Sequence, residues 1–418
     1  MILKGNLIFT REAGRLTVLP RGGLVLDDSG VILDVLASVP DRPEGQVVCD
    51  CGDRMILQSF SDMHLHAPQY PMLGMGMDLP LLDWLKTYTF RTEARFSDTE
   101  YARRVYRALA AELIANGTTR VLMFSSLHTD ATIILMEELE RAGVTGLVGK
   151  VNMDRNGGEN YEETTEESKR ETLRWLEGCE GFRRVRPALT PRFTPCCTDE
   201  LMAWLGKLAE ERGLPVQSHL SENRGEVELV RGLHPDCAQY WETYAKYGLW
   251  NGSTAMAHCV LSDRRERAAI RDAGVLAVHC ADSNLNLCSG VAPVRTMLRE
   301  GVRVALGSDI AGGAQLAMNQ VITMSIRASK MRRMQENWET DFLTVAEGYY
   351  LGTTAGERFF GAGGGFAVGD ALHAIVVDDS TLPEPARSLT LTERFERAIY
   401  LMRPEQITAV YSGGRRVK

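Results

Sequence analysis

Apolar residues along this chain fall into short runs, and the spacing between the runs changes twice. Over the first 57 residues the runs are close-set and broken by Gly, Asp and Pro: Leu7-Ile8-Phe9, Leu16-Thr17-Val18-Leu19, Gly23-Leu24-Val25-Leu26 and Gly30-Val31-Ile32-Leu33. Such spacing predicts short antiparallel strands. The same texture returns at Ala374-Ile375-Val376-Val377 and Ile407-Thr408-Ala409-Val410-Tyr411, ahead of Ser412-Gly413-Gly414. Two β-rich ends around a different middle predict one small domain from both termini, a β-sandwich of residues 1–57 plus 365–418.

In the middle, strand-like and helix-like patterns alternate. Ser97-Asp98-Thr99-Glu100 has the spacing of a capping box and opens a helix to about Asn116, which Gly117 can end. Thr164-Thr165-Glu166-Glu167 opens a second helix ending near Cys179. Strands are predicted at the His64 segment, Arg120–Phe124, Gly146–Met153, Val185–Thr190, Pro215–Leu220, Thr254–His258, Val275–His279 and Val302–Gly307. Eight strands, each with room for a following helix, fit an α/β fold of the (β/α)8 TIM-barrel type over residues 58–364. A doubly wound open sheet is the alternative, but no G-x-G-x-x-G opens a helix after a strand.

Length and composition narrow the function class. A chain of 418 residues suits one large domain with a smaller one. Its net charge of −8 leaves no basic excess to neutralise phosphates, which argues against nucleic acid and membrane surfaces as partners. Arg183, Arg184 and Arg186 read as a solvated face. No secretory h-region opens the chain and no apolar run spans a bilayer. The nine cysteines, an odd count set mostly in apolar stretches, read as reduced cytoplasmic thiols. Cys49-Asp50-Cys51 lacks a partner pair and reads as structural.

The candidate chemistry begins at Asp62-Met63-His64-Leu65-His66, just after the apolar run Met55-Ile56-Leu57. Residues two apart on a strand share a face, so His64 and His66 aim two imidazoles at one point while Met63 and Leu65 pack behind. That is half of a zinc site. In a barrel the chemistry sits at the C-terminal strand ends, and there the chain repeatedly carries polar residues. Arg192-Phe193 follows the fourth strand, His219 ends the fifth, His258 the sixth, His279 the seventh, and Asp309 the eighth.

Three histidines with one carboxylate suit a mononuclear catalytic Zn²⁺, which lowers the pKa of bound water to about 7. Glu222, three residues past His219, is placed to shuttle a proton. No lysine ends the fourth strand, which weighs against a two-metal site bridged by a modified lysine. The H-x-E…P-C-x-x-C pattern of cytidine-type deaminases is absent. His128, His234 and His373 have no matched partner and read as surface or loop residues, and His279 as a residue orienting a ligand or loop.

These residues resemble the guanine deaminase family of the amidohydrolase superfamily, over nearly the whole length. The resemblance is carried by His64-Leu65-His66-Ala67-Pro68-Gln69-Tyr70, Asp78-Leu79-Pro80-Leu81-Leu82-Asp83-Trp84-Leu85, Asn152-Met153-Asp154 and Thr190-Pro191-Arg192-Phe193. It continues through Gln217-Ser218-His219-Leu220-Ser221-Glu222-Asn223, Met256-Ala257-His258-Cys259, Ser283-Asn284-Leu285 and Gly307-Ser308-Asp309-Ile310-Ala311-Gly312-Gly313. The H-x-H and the late Asp are shared by the whole superfamily. Gln69, Arg192-Phe193 and the Asp78–Leu85 segment narrow it to guanine.

The resemblance implies a homodimer with one Zn²⁺ per chain on His64, His66, His219 and Asp309. It implies His258 beside the reacting water, as a further ligand or as a hydrogen-bond partner. Glu222 relays the proton with help from Asp309. Guanine is contacted by Gln69, Arg192 and Phe193 together with His219, Glu222 and Asp309. Arg192 would donate to the oxo edge and Gln69 would donate or accept beside it. The implied reaction is hydrolysis of guanine at C2 to xanthine and ammonia, in guanine breakdown. Alternatives are a related enzyme for another aminopurine, 8-oxoguanine or a pterin, and a catalytically dead scaffold. Two departures stand out: Gln58-Ser59 replaces the usual Pro-Gly, and His279-Cys280-Ala281-Asp282-Ser283-Asn284 replaces His-Cys-Pro-Asn-Ser-Asn.

Overall fold

The structure is a computed structural model that describes residues 1–39, 47–158 and 161–418. Strands β1 (Ile2–Glu12), β2 (Arg15–Leu26), β3 (Ile32–Leu36) and β4 (Val48–Gln58) lead into β5 (Phe60–His66). Then follow β6 (Thr118–Phe124), β7 (Thr145–Gly149), β8 (Val151–Asn152), β9 (Val185–Pro187), β10 (Thr190–Pro191) and β11 (Val216–Leu220). The series continues with β12 (Thr254–His258), β13 (Leu276–His279) and β14 (Arg303–Leu306), and closes with β15 (Ala374–Val377), β16 (Ile407–Ser412) and β17 (Arg415–Arg416).

Both termini build one sheet, in the order β17-β16-β15-β4-β1-β2-β3. The spacing predicts a two-sheet antiparallel sandwich; the strands instead hydrogen-bond into a single mixed sheet whose central pair, β1 with β4, is parallel. Alternation along each strand predicts which face is apolar but not which strand lies beside which. Leu3, Leu7, Phe9, Leu24, Ile56 and Val376 form a core on this sheet, separate from the larger core of the middle.

The apolar run Met55-Ile56-Leu57 belongs to β4 and so to the terminal sheet, whereas His64 and His66 lie on the next strand, β5. Gln58-Ser59 marks the crossing and is held by polar contacts. Gln58 Oε1 accepts from Thr10 N at 2.8 Å, its Nε2 donates to Thr354 Oγ1 at 2.9 Å, and Ser59 Oγ lies 2.6 Å from Thr119 Oγ1. These bonds hold the turn through side-chain contacts, without a Pro or Gly to set the backbone there.

The middle is α/β, with strands running parallel in two four-stranded sheets, β5-β6-β7-β9 and β11-β12-β13-β14. Every residue of β5, β6, β11, β12 and β13 is buried, as parallel strands covered by helices require. The predicted third and fourth strands each break in two: β7 pairs with β9, and past the break β8 pairs with β10. The helix Thr99–Ala115 is capped by Asp98, whose carboxylate accepts from Glu100 N and Tyr101 N, one residue later than the box predicts. The helix Thr165–Gly178 carries the predicted box, with Thr164 and Glu167 bonded reciprocally. Among the described residues no helix is long and apolar enough to cross a membrane, and the nine cysteines are free thiols.

Candidate active site

The strand ends converge. His64 Nε2 stands 3.2 Å from Asp309 Oδ1 and His66 Nε2 stands 3.6 Å from it. His66 Nε2 and His219 Nε2 are 3.1 Å apart, and donor atoms of His64, His219 and His258 lie within 4.8 Å of one another. Backbone bonds draw the eighth strand's end onto the first: Asp309 N donates to His64 O at 2.8 Å and His66 N to Ile310 O at 3.1 Å. Asp62, two residues before His64 on the same strand, braces this junction by accepting from the Ser308 hydroxyl and from Ser308 N. Ser221, His258 and Asp309 all have φ between 47° and 75° just past or at the ends of their strands. A non-glycine residue held there carries strain, a pattern concentrated at functional sites.

The protonation states favour a cation at this point. Burial holds His64, His66 and His219 below the usual imidazole range, with neighbouring positive charge adding to the effect at His66 and His219. Neutral imidazoles are the form that ligates a metal. His219 Nδ1 lies 2.5 Å from Arg192 O, an acceptor only, so the ring proton sits there and Nε2 faces the cluster with a lone pair. His64 Nε2 is buried and, among the described residues, faces the Asp309 carboxylate without a well-aligned hydrogen bond. Burial works against ionisation of Asp309, but His64 and His258 outweigh it and hold the carboxyl below its usual range. The donor set is therefore neutral nitrogen plus carboxylate oxygen, which fits zinc. Cys280 also lies near His64 and Asp309, but burial pushes its thiol well above the ordinary range, so it stays protonated.

Glu222 is buried beside the cluster. Its Oε1 accepts from Ser289 Oγ at 3.1 Å, and its Oε2 is 3.4 Å from His258 Nε2. Burial, only partly offset by His258, pushes its carboxyl up to about 7. His258 Nδ1 lies 2.8 Å from Asn284 Oδ1, which fixes the ring, and Nε2 lies 3.7 Å from Asp309 Oδ2. His279 is buried next to the site, and burial followed by the charge of His258 pushes it down to about 4.

A cavity opens over these groups. Besides the cluster it is lined by Gln69, Arg192, Phe193 and the apolar side chains Leu81, Trp84, Leu85 and Leu287. Gln69 Oε1 accepts from Ala311 N at 3.0 Å and its Nε2 donates to Glu93 at 2.8 Å. Arg192 donates to both oxygens of Glu93, at 2.5 and 3.0 Å. Burial works against the Arg192 charge, and Glu93 overrides it, so the guanidinium is held above its ordinary range.

His234 and His373, read as surface or loop residues, lie outside the helices and strands but are buried. Gly413 N donates to His373 Nε2 at 3.0 Å, leaving Nδ1 to donate to Thr119 at 2.8 Å, so this histidine ties the terminal sheet to the middle. His234 Nδ1 lies 3.3 Å from the Asp199 carboxylate. Both are far in sequence from their partners, so no local spacing marks them. Sequence reasoning also misses Phe124, whose ring packs 4.6 to 4.9 Å from those of His64, His66 and His219, and Glu93, the partner of Gln69 and Arg192. Phe124 had a signal, since it ends the second strand. Glu93 had none.

Residues 55–417 match the family model described as the amidohydrolase family. The chain is 38% identical to guanine deaminase of Mus musculus and 34% identical to that of Dictyostelium discoideum, aligning over 100% of its own length and 96% and 98% of theirs. Its backbone superposes on the crystal structure of guanine deaminase from C. acetobutylicum with bound guanine in the active site, with a TM-score of 0.96 and 41% identity over 99% of both chains. The chain belongs to the amidohydrolase family, in its guanine deaminase branch.

Proposed function

We propose that this chain hydrolyses guanine to xanthine and ammonia, with Zn²⁺ held by His64, His66, His219 and Asp309. The observation that carries the reading is one cavity in which His66, His219 and Asp309 of that donor set face Arg192 and Gln69, two side chains that offer hydrogen-bond donors to a ring. Guanine presents the matching acceptors at O6 and its ring nitrogens. Full-length similarity to guanine deaminases supports the same substrate. In this reading residues 58–364 close into a (β/α)8 barrel, through Leu189 N to Pro215 O and Gln217 N to Leu189 O on one side and the Asp309 and His66 bonds on the other. Residues 1–57 plus 365–418 form the appended sheet domain. The resemblance and the free thiols support a cytoplasmic homodimer.

When bound, zinc supplies acidified water at neutral pH and an electrophile. The chain's own groups do the rest. Glu222 as carboxylate removes a proton from the attacking water as its oxygen bonds to C2, and returns it so that the amine leaves as ammonia. His258, fixed by Asn284, steadies the water between Glu222 and Asp309. Arg192 and Gln69 hold the ring edge, and Phe193 packs beside His219 at 6.1 Å between ring centroids. Leu81, Trp84, Leu85 and Leu287 keep bulk water from the ring.

The test is a spectrophotometric assay of purified, metal-quantified protein with guanine, following xanthine and ammonia. Turnover with bound zinc supports the reading. Zinc without turnover shifts the substrate to another aminopurine, 8-oxoguanine or a pterin. Neither zinc nor activity revives the scaffold reading.

A further inference from the structure

Glu93 is wholly buried, on the short helix Phe90–Ala94 that continues the run carrying Leu81, Trp84 and Leu85 into the cavity wall. Its Oε1 is shared, accepting from Gln69 Nε2 at 2.8 Å and from Arg192 Nη2 at 3.0 Å, while Oε2 accepts from Arg192 Nη1 at 2.5 Å. One carboxylate thus binds both side chains that face the ring.

Two consequences follow from the chemistry of those groups. A glutamine amide can present either its oxygen or its NH2 to a ligand, and the choice is made by its surroundings. Here Ala311 N occupies the oxygen and Glu93 occupies one N–H, so the amide is held in one of its two orientations and has its remaining N–H left for a ligand. Arg192 has only donors. The second consequence concerns charge. An unpaired buried guanidinium would draw in an anion, whereas paired with Glu93 it presents N–H groups without net charge.

We propose that Glu93 is a specificity-determining positioning residue: it fixes Gln69 as a donor and cancels the charge of Arg192, so that the cavity selects a neutral ring edge bearing two acceptors. The inference rests on the guanine reading above and adds what the site rejects. A purine with an amino group in place of the oxo group puts donor against donor. A site built around such hydrogen bonds discriminates by roughly 10⁴-fold when they cannot form.

The experiment measures kcat and KM for guanine and for 2,6-diaminopurine in the zinc-loaded wild type, Glu93→Gln and Glu93→Asp, with metal content determined for each. The wild type is expected to favour guanine by about 10³-fold or more in kcat/KM. Glu93→Gln is expected to raise the guanine KM at least tenfold, to lower kcat less, and to cut the preference at least tenfold with zinc unchanged. Glu93→Asp keeps the charge beside Arg192 but is one methylene too short to hold Gln69 as well. It serves if the glutamine variant does not fold, and a reduced preference is expected there too. In a Gln69→Leu background the Glu93→Asp effect on KM should shrink to under about threefold, because the group it acts through is gone.

An unchanged preference with an equal loss for both purines, or full additivity with Gln69→Leu, overturns the inference. A wild type that deaminates both purines alike overturns it while leaving the guanine reading intact. A zinc-loaded wild type inert toward guanine overturns that reading, and the inference with it.

Discussion

Replacing Glu222 by glutamine separates the proposed proton relay from everything else at the site. The two side chains have the same shape, and the amide oxygen of the variant can still accept from the Ser289 hydroxyl that lies 3.1 Å from Oε1 of Glu222. The His258 ring keeps its own anchor, since its Nδ1 lies 2.8 Å from Asn284 Oδ1. Glu222→Gln is therefore expected to fold and to keep its zinc. What it cannot do is take a proton from water. General acid–base catalysis is worth about 10²–10⁴ in rate, or roughly 3 to 5 kcal/mol of barrier, and kcat should fall by that factor with KM little changed.

Stability should move the other way in metal-stripped protein. The folded carboxyl is pushed up to about 7 from 4.5. Ionising Glu222 in the fold therefore costs nothing below the unfolded value and reaches its full cost above about 7, at most about 3 kcal/mol. The variant should melt higher than the parent at pH 8, and the gain should vanish below about pH 4.5. Initial rates on guanine, zinc content and thermal melts at both pH values make the test. Wild-type turnover in a zinc-loaded Glu222→Gln protein would refute the relay.

Four further outcomes are expected. The acid limb of kcat/KM should lie at or below about pH 7, because Glu222 must start ionised; Ser289→Ala removes the bond that stabilises the carboxylate and should move that limb to higher pH. Chelation should abolish turnover and lower Tm, and saturating zinc should restore both, adding up to about 4 kcal/mol of stability at a thousandfold excess over Kd. Lys150→Met should cost about 3–5 kcal/mol in denaturant unfolding, because Lys150 Nζ lies 2.8 Å from each oxygen of buried Glu163 and its loss leaves that carboxylate unpaired. Phe124→Ala should lose about 3–5 kcal/mol and weaken zinc binding in a competition assay, since the ring packs against three of the histidines.

The strand-end residues are legible in the sequence because the alternation of parallel strand and helix repeats along the chain. Period-two spacing puts His64 and His66 on one face, and the end of each later parallel strand returns to the same side of the sheet, so His219, His258 and Asp309 can be read from position alone. Helix caps are legible to within a residue, since a cap is a contact between near neighbours: Thr164 serves as expected, and Asp98 displaces Ser97 because its carboxylate reaches two backbone N–H groups.

What the tertiary structure alone decided are contacts between distant segments that carry no period. The parallel pairing of β1 with β4 depends on which strands meet after the chain has folded. His373 reads as a surface or loop residue from its neighbours in sequence, and only the fold brings Thr119 and Gly413 against it. Gln69, Glu93 and Arg192 come from three separate stretches and meet only because the helices of the cavity wall pack over the strand ends. A buried charge needs its partner in space and at no set distance along the chain, so the sequence determined the chemistry available at the strand ends while folding decided what that chemistry is aimed at.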